Sequence, residues 1–125
     1  MSKKRIYALG GLTLLFLIAV SLWIEVLNTG SFTVTFFDVG QGDAALVRTS
    51  AGLQIVVDGG PNTTILEKLA KEIPFWDKSI DVLILSHPAK DHVAGLIGVL
   101  EKYSVKNIIW NGIRKDTEVF KAWEQ

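Results

Sequence analysis

The residues best suited to chemistry lie within positions 83–92, which read LILSHPAKDH. This stretch contains the only two histidines of the protein, His87 and His92, together with Asp91. Imidazole and carboxylate ligands in combination suit zinc, manganese or iron. The spacing is equally compatible with an ordinary solvated turn, because three donors make an incomplete site. The neighbouring sequence therefore has to decide between the two interpretations.

A predicted strand over residues 80–85 leads into this stretch. Strands buried in a parallel sheet read as continuous apolar runs, as this one does. Ligands of open α/β sheets collect just beyond the carboxyl ends of such strands, where His87, Asp91 and His92 lie. Pro88 excludes a helix through the first part of the loop. The three donor side chains are therefore expected to turn inward together.

Two other segments rich in glycine and aspartate also follow predicted strands. Residues 38–43 read DVGQGD and residues 58–61 read DGGP. The two glycines around Gln41 allow the backbone to turn tightly and to approach another group closely. Ordinary turn chemistry explains either segment alone. Together with the histidine loop they predict one site, built from three loops at the ends of strands.

The remaining pattern predicts the elements that position these loops. Strands over 32–39, 44–49 and 53–58 with short turns between them indicate a meander. A helix over 64–73 follows, with Asn62 or Thr63 as its cap and a capping box at Thr64 and Glu67, and Pro74 ends it. A helix over 93–103, a strand over 105–110 and the beginning of a helix over 116–125 complete the chain. This alternation predicts an α/β layered fold.

Composition excludes several classes of protein. The 125 residues contain no cysteine, so disulfides and thiolate zinc sites are absent. The formal net charge is +0, so no global basic field favours nucleic acid. A solvated protein surface explains the scattered lysines, which are Lys68, Lys71, Lys78 and Lys90. A hydrophobic content of 49% and a mean hydropathy of +0.33 are high for a soluble domain and point to a membrane segment.

The first thirty-one residues supply that segment. Residues 1–5 form a basic head and residues 6–27 an apolar run in which only Glu25 is charged. About 20 apolar residues span a bilayer as a helix, and Tyr7 and Trp23 lie near its two ends as interfacial aromatics do. The basic head predicts a cytoplasmic N-terminus in a bacterial-type cell membrane, crossed once, with the rest of the chain on the extracytoplasmic side. Residues 28–31 are predicted to be a linker and residues 32–125 a globular domain.

Two other interpretations of the apolar run are weaker. A cleaved signal peptide has a shorter apolar region of about 7–15 residues and a small-residue cleavage site, which the sequence WIEV at 23–26 does not offer. A helix buried in a globular core would show a polar face at helical spacing, and none is present. An uncleaved signal anchor is therefore expected.

The three loop sequences together resemble a known family. FFDVGQGDA at 36–44, VVDGG at 56–60 and LSHPAKDHVAGL at 85–96 resemble the metallo-β-lactamase fold, and more narrowly the ComEC-like domains of competence proteins that act in DNA uptake. The third sequence is the H-x-H-x-D-H motif of that superfamily in altered form. The resemblance covers the chain from Phe32 to about Asn111.

This resemblance implies an αββα sandwich with one or two zinc or manganese ions that activate water for hydrolysis. It implies His87 as a ligand of the first metal, and Asp91 and His92 as ligands of the second. Asp91 would also place the attacking water, and Asp58 would orient the ligand loop through hydrogen bonds. The neighbouring loop would line the site with Asp38, Gly40, Gln41, Gly42 and Asp43.

The sequence departs from the family pattern at two points. Ala89 replaces the middle histidine of the motif, and no histidine follows His92. Because the family domain is about twice as long as residues 32–125, the chain is expected to be C-terminally incomplete and to form the N-terminal half of the sandwich. The inner face of its sheet would then be exposed, unless a partner or the missing C-terminal half covers it.

Three functional hypotheses follow. The first is a membrane-anchored metal-dependent hydrolase of the ComEC-like branch, which cleaves phosphodiesters of DNA during uptake. The second is a non-catalytic half-domain that acts as a membrane-tethered partner of an uptake complex, alongside a membrane channel component. The third, disfavoured by the loop at 40–43, is hydrolysis of β-lactams or thioesters on the same fold.

Overall fold

The computed structural model describes residues 3–27 and 30–125, and within them the side chains of all but Lys4, Ile6 and Leu27. The chain divides into two compact units, Met1–Gly30 and Ser31–Gln125. The predicted basic head at 1–5 and the predicted linker at 28–31 lie partly outside the described residues. Their boundaries stay predictions.

The first unit consists of helix α1, Lys3–Leu27. Its segment Tyr7–Val26 has 20 residues and a mean hydropathy of 2.1, with no part of it buried in protein. At about 1.5 Å per residue, 20 residues span the ~30 Å hydrocarbon core of a bilayer. By length and composition, α1 is therefore able to cross a membrane. An N-terminal signal sequence passes the same test, and the side on which each end lies stays a prediction.

The second unit is built on a five-stranded sheet in the order β1-β2-β3-β4-β5. The first three strands pair antiparallel, which confirms the predicted meander. The fourth strand pairs in parallel with the third, and the fifth pairs in parallel with the fourth. The strands are β1 (Thr33–Phe36), β2 (Ala45–Arg48), β3 (Gln54–Val57), β4 (Ser79–Leu85) and β5 (Ser104–Trp110). The helices are α2 (Thr64–Glu72), α3 (Lys90–Lys102) and α4 (Glu118–Trp123). The α/β fold predicted from sequence is confirmed, and its one sheet with helices is consistent with the predicted half of an αββα sandwich.

One face of the sheet carries the core. The register aligns Leu46, Val56 and Leu83 in one row across β2, β3 and β4, and these side chains are 0–1% exposed. They form one cluster with Ile65 and Leu69 of α2 and with Leu96 and Val99 of α3. Burying one such side chain contributes about 1.5–3 kcal/mol, so this row holds α2 and α3 against the sheet.

The opposite face is apolar and most exposed at its edge strands. One row of paired residues crosses all five strands, namely Phe36, Ala45, Val57, Ile84 and Ile109. A second row comprises Val34, Val47, Ile55, Val82 and Asn107. At the edges, Phe36 is 82% and Ile109 54% exposed. Within the second unit, helices therefore cover the sheet on one side only.

The two ends of the sheet differ in what they carry. Thr33, Arg48 and Gln54 pair across β1, β2 and β3 at the end where β4 begins with Ser79. We call this the tether end, because the chain coming from α1 enters β1 there. Phe36, Ala45, Val57 and Ile84 pair at the other end, which we call the histidine end because His87 follows β4 there.

Two predicted details of the helices are wrong. Helix α3 begins at Lys90 instead of residue 93, because Pro88 stops helix formation only up to Ala89, which is extended with φ −89° and ψ 145°. The capping box predicted for α2 does not form, because Thr64 lies inside the helix. The Asn62 side chain instead accepts a hydrogen bond from the Thr64 amide at 2.9 Å.

Candidate functional site

Asp58 is the centre of the hydrogen-bond network at the histidine end. It directly follows β3, is 4% exposed and has φ +56°, a left-handed conformation that aspartate adopts more readily than most residues. Its Oδ1 accepts a hydrogen bond from the Ser86 amide at 2.8 Å, and its Oδ2 accepts one from the Ser86 hydroxyl at 2.6 Å. The same Oδ2 lies 2.9 Å from Nδ1 of His92. One carboxylate thus joins the end of β3 to the loop after β4 and to α3.

This network assigns the tautomers of both histidines. An ionised carboxylate only accepts hydrogen bonds, so Nδ1 of His92 carries a proton and donates it to Asp58. The Ser86 hydroxyl donates its own hydrogen to Asp58, which leaves its oxygen to accept from Nδ1 of His87 at 3.0 Å. Nδ1 is therefore the protonated nitrogen in the neutral form of both imidazoles, and in that form Nε2 carries the lone pair. Histidines that bind metals are commonly oriented by a carboxylate in this way.

The two imidazoles lie next to each other. Their ring centroids are 4.0 Å apart and the rings are tilted by 49°. His92 is 8% exposed, whereas His87 is exposed to solvent. The pair therefore presents one sheltered and one accessible ring, each with its Nε2 outside the hydrogen-bond network.

Close backbone packing fixes the first turn of α3, which carries Asp91 and His92. The Gly59 amide donates to the His92 carbonyl at 2.8 Å, and the Gly95 amide donates to the Gly60 carbonyl at 3.1 Å. A Cβ on Gly95 would lie 1.8 Å from the carbonyl oxygen of Gly59. The glycines of the 58–61 segment and of α3 are thus required for this approach.

The loop at 38–43 lies against the same turn. A Cβ on Gly42, which has φ +87°, would lie 1.9 Å from the Asp91 carbonyl oxygen. The Gly60 amide donates to the Asp43 carbonyl at 3.0 Å. The side chain of Asp38 accepts from the Gly40 amide at 3.2 Å, and that of Asp43 is exposed. All three predicted loops are therefore in contact through their backbones, whereas the side chain of Asp38 accepts a local hydrogen bond and that of Asp43 is exposed.

A cavity of about 240 Å³ opens beside this junction. Its lining combines an amide, an ammonium and a carboxylate, from Gln41, Lys90 and Asp91, with Pro61. Such a lining suits a small polar or anionic group. Asp91 therefore faces this cavity, whereas the two imidazoles pack on each other.

The donors do not make up a complete zinc site. A catalytic zinc is held by three protein ligands and keeps one position for water. Across residues 3–27 and 30–125, no three histidine, aspartate or glutamate side chains are grouped as a metal ion requires. Ala89 has no ligating atom at the position of the motif's middle histidine. Without a metal, the described residues fix the position and the tautomer of the two imidazoles.

Sequence reasoning gave no role to two residues of this site. Ser86 links Asp58 to His87, and Lys90 lines the cavity beside Asp91. A hydroxyl residue directly before His87 was a usable signal for the first, because it is the neighbour best placed to orient the ring. Lys90 carried no such signal, because surface lysines are common.

The carboxyl ends of β3 and β4 thus bring two imidazoles and one buried aspartate together. The chain belongs to the metallo-beta-lactamase superfamily, whose family model matches residues 37–114. Membership indicates a metal-dependent hydrolase, and proteins of this superfamily typically bind zinc. The comparison with curated proteins gave no match.

Proposed function

We propose that the chain forms part of a membrane-anchored, metal-dependent hydrolase of the ComEC-like branch, which cleaves phosphodiester bonds of DNA during uptake. The observation that carries this proposal is the His87–His92 imidazole pair, whose rings are 4.0 Å apart and whose Nδ1 atoms are both tied to the Asp58–Ser86 network. Such preorganisation of Nε2 atoms is what metal binding requires. The DVGQGD loop at 38–43 supports the ComEC-like branch.

His87, His92 and Asp91 are the residues that would hold the proposed metal, zinc or manganese in one or two copies. When bound, such a metal lowers the pKa of a water ligand to about 7 and so supplies hydroxide. Lys90 supports an anionic substrate, because this basic residue lines the cavity beside Asp91.

Helix α1 is the proposed anchor, with its N-terminus in the cytoplasm and the second unit on the extracytoplasmic side. The proposed partners are DNA and a component of a membrane channel. The apolar rows on the uncovered sheet face support a further polypeptide segment as a partner, because exposed patches of this kind mark interaction sites.

Metal binding and hydrolysis test this proposal on the full chain in detergent micelles. We expect the wild type to retain zinc or manganese after gel filtration, measured by elemental analysis, and to cleave single-stranded DNA. His92→Ala and His87→Ala are expected to lose both properties. Glu67→Gln, an exposed carboxylate on α2, is the matched control and should retain both. A wild-type chain that stays metal-free with either ion contradicts the proposal.

A second candidate is a non-catalytic half-domain that serves as a membrane-tethered partner of an uptake complex. The absence of any three-donor metal group among the described residues favours it, as does Ala89 in the motif. Under this candidate, His87→Ala leaves co-purification with a membrane component unchanged. Under the hydrolase proposal, the same substitution abolishes activity, so one variant separates the two.

A further inference from the structure

Two of the largest apolar side chains of the second unit project from the turn between α2 and β4. Phe75 is 81% and Trp76 74% exposed, and their rings meet edge to face at 5.0 Å. Neither residue belongs to the histidine end or to the uncovered sheet face. Exposed apolar side chains that lie next to each other indicate a binding surface for a protein or a membrane.

Several hydrogen bonds hold the turn that carries this pair. The Asp77 amide donates to the Pro74 carbonyl at 2.9 Å, which closes a four-residue turn around Phe75 and Trp76. The Asp77 carboxylate accepts from the Ser79 amide at 2.9 Å and from the Gln54 side-chain amide at 2.8 Å. The turn is thus fixed to β3 and β4. It displays the two rings in a defined position, which lowers the entropy cost of binding through them.

The turn lies at the tether end of the sheet, because Ser79 begins β4 two residues after it. Phe32 and Leu53, which are 65% and 47% exposed, flank Thr33 and Gln54 at the same end. Lys71 and Lys78 are exposed and flank the two aromatics in sequence, and the Lys78 ammonium lies 5.6 Å from the centroid of the Tyr103 ring. The tether end thus combines exposed apolar side chains with ammonium groups.

We propose that the tether end is a membrane-contact surface, in which Phe75 and Trp76 enter the headgroup region of a bilayer that contains anionic lipids. The indole of Trp76 has one polar edge and favours this region, the Phe75 ring beside it adds apolar surface, and neighbouring lysines are attracted to anionic headgroups. The covalent link supports a lipid partner, because only residues 28–32 separate α1 from β1. This inference rests on the proposed anchoring of the chain by α1.

The proposal has a consequence for the histidine end. Strand β4 has seven residues, and a strand rises about 3.3 Å per residue. With the tether end at the bilayer and the histidine end at the opposite end of β4, about 20 Å of strand would separate the two, and the His87–His92 pair would face the aqueous phase. A substrate would reach the cavity beside Asp91 from solution, without passing through lipid.

Fluorescence quenching by brominated phosphatidylcholine tests the proposal on the full chain in vesicles of phosphatidylcholine and phosphatidylglycerol. Trp23→Phe serves as the background, because it removes the tryptophan of α1. We expect the remaining fluorescence to be quenched by the brominated lipid, and the further substitution Trp76→Phe to remove at least half of that quenching. Trp110→Phe in the same background is the matched control. Trp110 lies at the histidine end, paired with Leu85, so this change should leave the quenching by lipid unaltered.

Carbonate extraction of the same vesicles separates this inference from the proposed anchoring. If the chain is extracted, anchoring by α1 fails and this inference fails with it. If the chain stays in the membrane but Trp76 contributes no quenching by lipid, the inference is overturned alone. Shielding of Trp76 from both lipid bromines and aqueous acrylamide would also overturn it, because a protein partner or second copy would then cover the turn.

Discussion

Asp58 Oδ2 and His92 Nδ1 lie 2.9 Å apart although 34 positions separate these residues in sequence. Both side chains are nearly buried, at 6% and 11% exposure, so little solvent competes for the bond. The contact joins the end of β3 to the first turn of α3. It links the packing of the sheet to the orientation of an imidazole, and a change at Asp58 should therefore alter both stability and the state of the histidines.

Asp58→Asn tests this dual role. Asparagine also adopts the left-handed conformation, so the backbone at φ +56° is preserved. With its carbonyl oxygen at the Oδ1 position, its amide nitrogen cannot accept the hydrogen bonds that the Ser86 hydroxyl and His92 donate to Oδ2. A lost hydrogen bond to a charged group costs about 1.5–3 kcal/mol. We expect the free energy of unfolding to fall by about 2 kcal/mol, and the imidazole ¹⁵N signal of His92 to leave the Nδ1–H tautomer. His87→Gln assigns the signals, because the chain has only two histidines.

The control for this experiment is Asp38→Asn. Asp38 is exposed and accepts only one local hydrogen bond, from the Gly40 amide at 3.2 Å. We expect its effect on stability to stay within about 0.5 kcal/mol, as for most surface substitutions. Equal effects of the two substitutions, or an unchanged His92 signal in Asp58→Asn, would contradict the proposed role of Asp58.

Gly95→Ala and Gly98→Ala form a second test, within one helix. A Cβ at Gly95 would lie 1.8 Å from the backbone oxygen of Gly59, whereas at Gly98 the nearest atom is the flexible Cδ1 of Leu66 at 3.3 Å. Overpacking against backbone typically costs 1–3 kcal/mol, while alanine gains about 1 kcal/mol of helix propensity over glycine. Thermal unfolding should therefore show a clear loss for Gly95→Ala and little change for Gly98→Ala. Similar melting temperatures for the two variants would contradict the close packing of α3 on Gly59.

The order of the strands and helices was predictable because it depends on local sequence patterns. The apolar run at 80–85 and the alternation of strands and helices define β4 and the order of the elements without tertiary information. The three loops could be placed together because strands of one sheet end along shared edges. The beginning of α3 at Lys90 was missed because Pro88 restricts only its immediate neighbours, and the helix starts two residues after it.

The hydrogen-bond network of the site was less predictable. The role of Ser86 depends on two distances across the sheet, 2.6 Å to Asp58 and 3.0 Å to His87, which no sequence spacing encodes. The spacing of His87, Asp91 and His92 predicted three donors turned inward together. In the structure Asp91 and His92 belong to a helical turn, so they point in different directions, and Asp91 lines the cavity while His92 packs against His87.

A third prediction concerns acid stability at the tether end. The hydrogen bonds that Ser79 donates to Asp77 hold the pKa of that carboxyl below its ordinary value of 3.8. A carboxyl whose pKa is lowered by folding stabilises the protein above its ordinary pKa, and this contribution is lost as the pH falls through the lower value. Chemical denaturation should therefore show stability falling below about pH 4, and a shallower fall in Asp77→Asn. If the free energy of unfolding falls equally with pH in the wild type and in Asp77→Asn, the lowered pKa of Asp77 does not contribute to stability.

A fourth prediction concerns the uncovered sheet face. Ile109 is 54% exposed in the row that crosses all five strands, whereas Leu83 is fully buried on the opposite face. We expect Ile109→Thr to reduce self-association of the chain in sedimentation experiments, because it removes apolar surface that water would otherwise contact. Its effect on unfolding should be small. Leu83→Thr should instead destabilise the fold by about 2–4 kcal/mol. Unchanged self-association in Ile109→Thr would show that this sheet face does not mediate contacts between copies of the chain.

The last prediction is a gain of metal affinity in Ala89→His. Ala89 occupies the position of the superfamily motif's middle histidine and lies two residues after His87, in an extended conformation just before α3. A third imidazole there would give the His87–His92 pair the three protein ligands that a catalytic zinc uses. We expect the dissociation constant for zinc, measured by competition with a chelating dye, to fall at least about tenfold, which corresponds to ~1.4 kcal/mol. Lys90→His adds an imidazole one residue further on, inside the helix and exposed, and should give a smaller gain. Equal zinc affinities of the two variants would contradict this prediction. They would show that any added imidazole binds zinc at the surface, without help from the His87–His92 pair.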